Sequence, residues 1–158
     1  MKDFIYQLAL GIACTIIAIV LCTAFTFKGK DLHGSGIAII VNKENPINDL
    51  TISEVKLYWL RKIKKRWPEL NKNIKPADRK SKCPEQDTFY GKVLNMAASD
   101  VETYFIQKQY DSAEKPQDKF ASDAAMIEFV ASEPGAIGYV SKSAAATAEG
   151  IKVVLTVE

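Results

Sequence analysis

Residues able to do covalent chemistry are scarce in this sequence. The chain of 158 residues holds one histidine, His33, and three cysteines, Cys14, Cys22 and Cys83. Two of the cysteines lie inside an apolar run, which leaves Cys83 and His33 as the one cysteine–histidine pair available, and no neighbouring residue marks either as activated. Zinc ligation needs Cys and His clustered at set spacings, and phosphate cradles need a glycine-rich loop; neither pattern is present. Carboxylates such as Asp123 and Glu128 have the spacing of ordinary helix-surface residues. The chain is therefore read as a binding protein and not an enzyme, with no cofactor and no metal.

The cationic side chains say more. Arg79, Lys80, Ser81 and Lys82 stand just ahead of Pro84, a residue suited to the first turn of a helix. Arg and Lys at such a helix start can donate to an anion. A second group, Arg61, Lys62, Lys64, Lys65 and Arg66, puts five cations in six positions. Its bland reading is a solvated helix end whose charges complement the helix dipole. Its functional reading is a surface for anionic lipid, an acidic partner or an anionic ligand. Nucleic acid is not expected, because an exported domain would rarely meet it and no recognition motif is present.

A third feature is the stretch EPGAIGYV, from Glu133 to Val140. Gly135, after Pro134, reads as the left-handed C-cap of a preceding helix. Gly138 lies inside a strand, where glycine marks a close backbone approach, and with Tyr139 and Ser141 it is a candidate pocket wall.

The elements that must position these groups follow from periodicity. Ile37 to Val41 is a continuous β-branched run ended by Asn42 and Asn45-Pro46, as in a strand buried on both faces of a parallel or mixed sheet. Thr51-Ile52-Ser53-Glu54 has capping-box spacing, with Ile52, Val55, Trp59 and Ile63 on one helical face before Trp67-Pro68. Ile74-Lys75-Pro76 reads as a short strand that its proline confines to an edge or an end. A helix from Pro84 buries Phe89, Val93, Leu94 and Met96. A further capping box at Ser99 to Glu102 opens a helix carrying Val101, Tyr104, Phe105 and Lys108.

Asp111 to Lys119 is polar and reads as a loop. Ser122-Asp123 caps a helix burying Met126, Phe129 and Val130, followed by a strand from Ala136 to Val140. Ser143 to Gly150 is a helical turn or a loop, and Ile151 to Val157 a final strand. Helices alternating with buried strands make an α/β domain: a small mixed sheet flanked by helices.

The N-terminus differs in kind. Phe4 to Phe27 is apolar and uncharged, and at about 1.5 Å per residue a helix of that length crosses a hydrocarbon core of roughly 30 Å. Residues 1–27 are read as a signal peptide or membrane anchor, 28–36 as a linker and 37–158 as the domain, which then lies outside the cytoplasm.

Three segments, VNKENPINDLTISEVKLYWLRKIKKRWPELNKNIKPADR, TFYGKVLNMAASDVETYF and FASDAAMIEFVASEPGAIGYVSKS, occur in an order that resembles the phosphate-type periplasmic solute-binding proteins of ABC transporters. The resemblance runs from Ile37 to Ser143. It implies one lobe of a type II periplasmic binding protein, and inorganic phosphate or a similar oxyanion as ligand. Of the family's Arg-Ser-Asp-x-Ser-Gly-Thr loop, Arg79 and Ser81 carry over and the Ser-Gly-Thr part does not. The family usually has glycine where Arg61 stands. An alternative is an envelope interaction module that keeps the lobe fold and docks onto a larger membrane complex through the Arg61 to Arg66 run.

Overall fold

The structure, a computed structural model, describes residues 36–62, 66–113, 115 and 117–158. The apolar segment 4–27 and Ile63, Lys64 and Lys65 lie outside the described residues. Among the described residues no helix is long and apolar enough to cross a membrane.

Five strands form one mixed sheet: β1 (Ile37–Asn42), β2 (Lys75–Arg79), β3 (Asp118–Phe120), β4 (Ala136–Ser141) and β5 (Ile151–Val157), in the spatial order β3-β2-β4-β1-β5. β2 runs parallel to both β3 and β4, whereas β1 is antiparallel to both β4 and β5. The unbroken apolar run of β1 reflects its interior place between β4 and β5, with every residue buried. It does not reflect parallel pairing: helices cover both faces of this sheet, and that alone removes the usual polar alternation of antiparallel strands.

Five helices flank the sheet: α1 (Ile52–Trp59), α2 (Pro84–Thr88), α3 (Ala98–Ser112), α4 (Asp123–Ser132) and α5 (Lys142–Ala146). The chain continues from α2 into a π-helix, Phe89–Leu94. Alternate strand residues feed two separate cores. Ile37, Ile39, Val41, Ile137 and Tyr139 join the aromatic-rich core under α1, the π-helix and α3, with Trp59, Phe89 and Phe105. Ala38, Ile40, Ala77, Ala136 and Val140 join a smaller core under α4 and α5, with Met126 and Val130. Trp59 packs edge-on against Phe89 and Phe105, with centroids 5.1 and 5.4 Å away. Burying each such ring is worth about 2–3 kcal/mol.

Several expectations are met at the level of residues. Thr51 and Glu54 close the capping box of α1, Ser122 caps α4, and Pro84 opens α2. The carboxylate of Glu54 titrates below its ordinary range because the Thr51 backbone N–H and then its hydroxyl donate to it. α5 realises the helical turn, and β5 the final strand.

Other expectations are corrected. α1 stops at Trp59, because Arg61 takes a left-handed backbone, φ 52°. The turn that glycine would ease is thus kept with an arginine. Ile52 is 44% exposed and does not join the core. The capping box at Ser99 does not form; α3 begins at Ala98, its N-cap Ala97 offering no side-chain bond. Asp118–Phe120, placed in a loop by its polarity, is β3.

β2 extends from Lys75 to Arg79 and is an interior strand. It tolerates Pro76 because β3 pairs only with Ala77, Asp78 and Arg79, so the missing N–H costs no ladder bond on that side. Gly135 is not left-handed, since Gly150 is the one described glycine with positive φ. A Cβ at Gly135 would lie 2.1 Å from the Asn73 carbonyl oxygen, so glycine is required there by a crossing of two backbones.

Candidate functional site

The two neighbouring residues that end β2, Asp78 and Arg79, face opposite sides of the sheet, as adjacent strand residues must. Each is buried and each gathers a polar network.

On the aromatic side, Asp78 is 2% exposed. Tyr139 of β4 donates its hydroxyl to one carboxylate oxygen and Tyr90 of the π-helix to the other, both at 2.6 Å. The Arg79 backbone N–H donates at 2.8 Å and the Gln86 amide at 3.3 Å. The π-helix matters here: its wider turn brings Phe89, Tyr90, Val93 and Leu94 all to the buried side, so Tyr90 can reach the carboxylate while Phe89 stacks on the Tyr139 ring at 4.2 Å. Burial first, and the Asp78 charge second, push both phenols far above their ordinary titration range. They stay protonated donors to a carboxylate that is itself buried. It is a lock between β2, β4 and the π-helix.

On the other side, the Arg79 guanidinium pairs with Asp123, the first residue of α4. Ser141, at the end of β4, donates its hydroxyl to the Asp123 carboxylate at 2.7 Å and its backbone N–H at 3.3 Å. The Ser141 hydroxyl also caps α5 through the Ala144 N–H and lies 3.2 Å from the Ser143 hydroxyl. The Arg79 side chain is 6% exposed and that of Asp123 23%, so this network opens to solvent on the Asp123 side. The Nε of Arg79 is buried and meets no hydrogen-bond partner among the described residues. Asp123 is therefore no ordinary helix-surface carboxylate.

The other predicted residues divide around this point. Lys80, Ser81 and Lys82 follow Arg79 on the exposed connection to α2. Lys80 is tied there by its backbone N–H to the Phe120 carbonyl, and Lys82 lies 3.8 Å from Asp87. Gly138 faces the smaller core, where an added Cβ would come within 2.9 Å of the Met126 sulfur. Its lack of a side chain makes room for Met126 and lines no opening. Tyr139 belongs to the Asp78 lock on the opposite face.

The described cations of the second group each make local contacts. Arg61 lies over Phe105 and donates to the Lys115 carbonyl, Lys62 lies over Tyr104, and Arg66 is held by Asn71 and Asn73. Cys83 is partly buried, and that burial pushes its thiol up, away from reactive thiolate.

Sequence reasoning missed Asp78, Tyr90 and Asp123. The available signal was the Asp-Arg pair itself: two opposite charges side by side in a buried strand need separate partners on two faces.

Solved structures share this fold. One is described as a phosphate ABC transporter substrate-binding protein with bound phosphate, from Clostridium perfringens: 24% identity, TM-score 0.55, covering 75% of this chain and 44% of that one. An ABC-type phosphate transport receptor from Vibrio cholerae matches at 17% identity and TM-score 0.57, over 75% of this chain and 45% of that one. PstS from Borrelia burgdorferi matches at 20% identity and TM-score 0.56, over 75% and 46%. The matched region spans less than half the length of these proteins. No protein-family model matches the sequence, and no curated protein matches it significantly.

Proposed function

We propose that the chain is an extracytoplasmic substrate-binding-like domain that takes inorganic phosphate or a similar oxyanion at Arg79 and Ser141, with Lys80, Ser81 and Lys82 at the mouth. The observation that carries this reading is the buried guanidinium with an unpartnered Nε–H. Such a donor has lost its water, and an oxyanion offers the paired acceptors that a planar guanidinium fits. A fold shared with phosphate-binding proteins, one of them holding phosphate, supports the ligand class. With about half of such a protein present, the affinity expected is weak, on the order of millimolar. Calorimetric titration of the full chain with phosphate and with sulfate tests it. Saturable heat that disappears in Arg79→Met is expected, and no heat and no thermal shift at several millimolar would remove the reading.

The location rests on residues 4–27 acting as signal peptide or inner-membrane anchor; the mass of the mature N-terminus decides between the two. A second reading, docking onto a larger envelope complex, is favoured by Tyr110, 86% exposed, one helical turn beyond the exposed Ile106 on α3. Charge reversal at Lys62, Lys64 and Lys65 would lower recovery of envelope partners if that surface docks, and unchanged recovery would argue against it.

A further inference from the structure

The Asp123 carboxylate is held as a bound oxyanion would be: by a guanidinium, a serine hydroxyl and a backbone N–H that converge on its two oxygens. The donors come from two strands and the acceptor from a helix. Arg79 ends β2, Ser141 ends β4, and Asp123 itself opens α4. The apolar cores on both faces are built from other residues.

We infer that Asp123 is a built-in competitor that occupies the Arg79–Ser141 donor set and sets the threshold an external oxyanion must exceed to bind. The inference rests on the oxyanion reading of Arg79 and deepens it. A ligand that enters meets a site already neutralised, and it either displaces the carboxylate or accepts repulsion from it. Displacement is mechanically simple: Asp123 stands in the first turn of its helix, is partly open to solvent, and needs only a rotation about its own side-chain torsions. The guanidinium, in contrast, cannot follow it out, because Arg79 is buried along its length. Emptying the site therefore leaves Arg79 with no acceptor, and that is the state in which an anion is drawn in. The unpartnered Nε–H marks a donor that the short Asp123 side chain leaves unused and that a tetrahedral oxyanion reaches.

The test is Asp123→Asn, which keeps the side chain's shape and removes its charge, followed by phosphate titration of the full chain beside the wild type. Removing a like charge within a few ångströms of the ligand should tighten phosphate binding at least about ten-fold. The Arg79 Nε–H resonance, assigned by its loss in Arg79→Lys, should shift on phosphate addition in the variant at concentrations that leave the wild type unchanged. Asp123→Ser, which keeps a helix-start residue, serves if the asparagine variant does not fold. Equal phosphate affinity in wild type and variant would overturn the competitor role and leave the oxyanion reading standing. Failure of phosphate to bind either folded protein would overturn both.

Discussion

Asp78 and Arg79 are consecutive in the chain and both buried, yet their surroundings differ in one respect that decides what each can do. The Asp78 carboxylate is answered by two phenols held in an aromatic core, with a backbone N–H and a partly buried glutamine beside them. Arg79 is answered by one carboxylate at the solvent end of a helix. A charge with four fixed donors is a structural fastener. A charge with one partner that is itself partly open to solvent is a candidate site. Burial alone does not separate the two; the exposure of the partner does.

The largest effect should come from unfastening the closed side. Asp78→Ala leaves two buried hydroxyls without an acceptor and should cost about 3–5 kcal/mol in chemical denaturation, given roughly 1–3 kcal/mol for each unsatisfied group. A loss below about 1 kcal/mol would mean that water reaches the cluster and that the two sides are alike.

Alkaline unfolding sharpens the same contrast. The folded protein holds the Tyr90 and Tyr139 protons more tightly than the unfolded chain does. Their contribution is therefore complete below about pH 10, where unfolded tyrosine keeps its proton, and is lost as pH rises beyond it. With two groups the stability should fall by about 2.7 kcal/mol per pH unit, and Tyr139→Phe should reduce that slope by about half.

On the open side the expected costs are smaller. Arg79→Met should destabilise by about 2 kcal/mol, chiefly by leaving Asp123 without its cation. The double variant with Asp123→Asn should regain part of this, a coupling that a double-mutant cycle measures directly. Strict additivity would show the pair to be energetically idle. Ser141→Ala, which removes one donor to Asp123 and the cap of α5, should cost only about 1 kcal/mol.

What could be read from the sequence follows a physical division. β1, β4, β5 and α4 carry their own signals in β-branched runs, a capping serine and a proline-glycine stop, so local chemistry suffices to find them. β3 has three residues and a polar composition, and only its neighbour β2 makes it a strand. Ser99 had capping spacing, but the helix starts two residues earlier than that box requires. Gly135 is specified by a backbone passing from another part of the chain, which no local pattern encodes. At the site, resemblance to a family pointed to Arg79 and Ser141 stood beside the glycine stretch. The partners that give them meaning did not show, because Tyr139 is 61 residues from Asp78 and Asp123 is 44 from Arg79.

The position of β1 in the sheet fixes an order of events. Both its neighbours, β4 and β5, come from the end of the described chain, so Ile37 meets Ser141 on one side and Val157 on the other. A ribosome delivers this interior strand before either of its two flanking strands. Through most of synthesis the segment Ile37–Asn42 therefore has no hydrogen-bonding partner on either edge, and closing it demands loops of nearly the whole domain, a requirement that slows folding. A chain stalled before β4 would present a bare apolar strand, which is the form most apt to pair with another copy of itself.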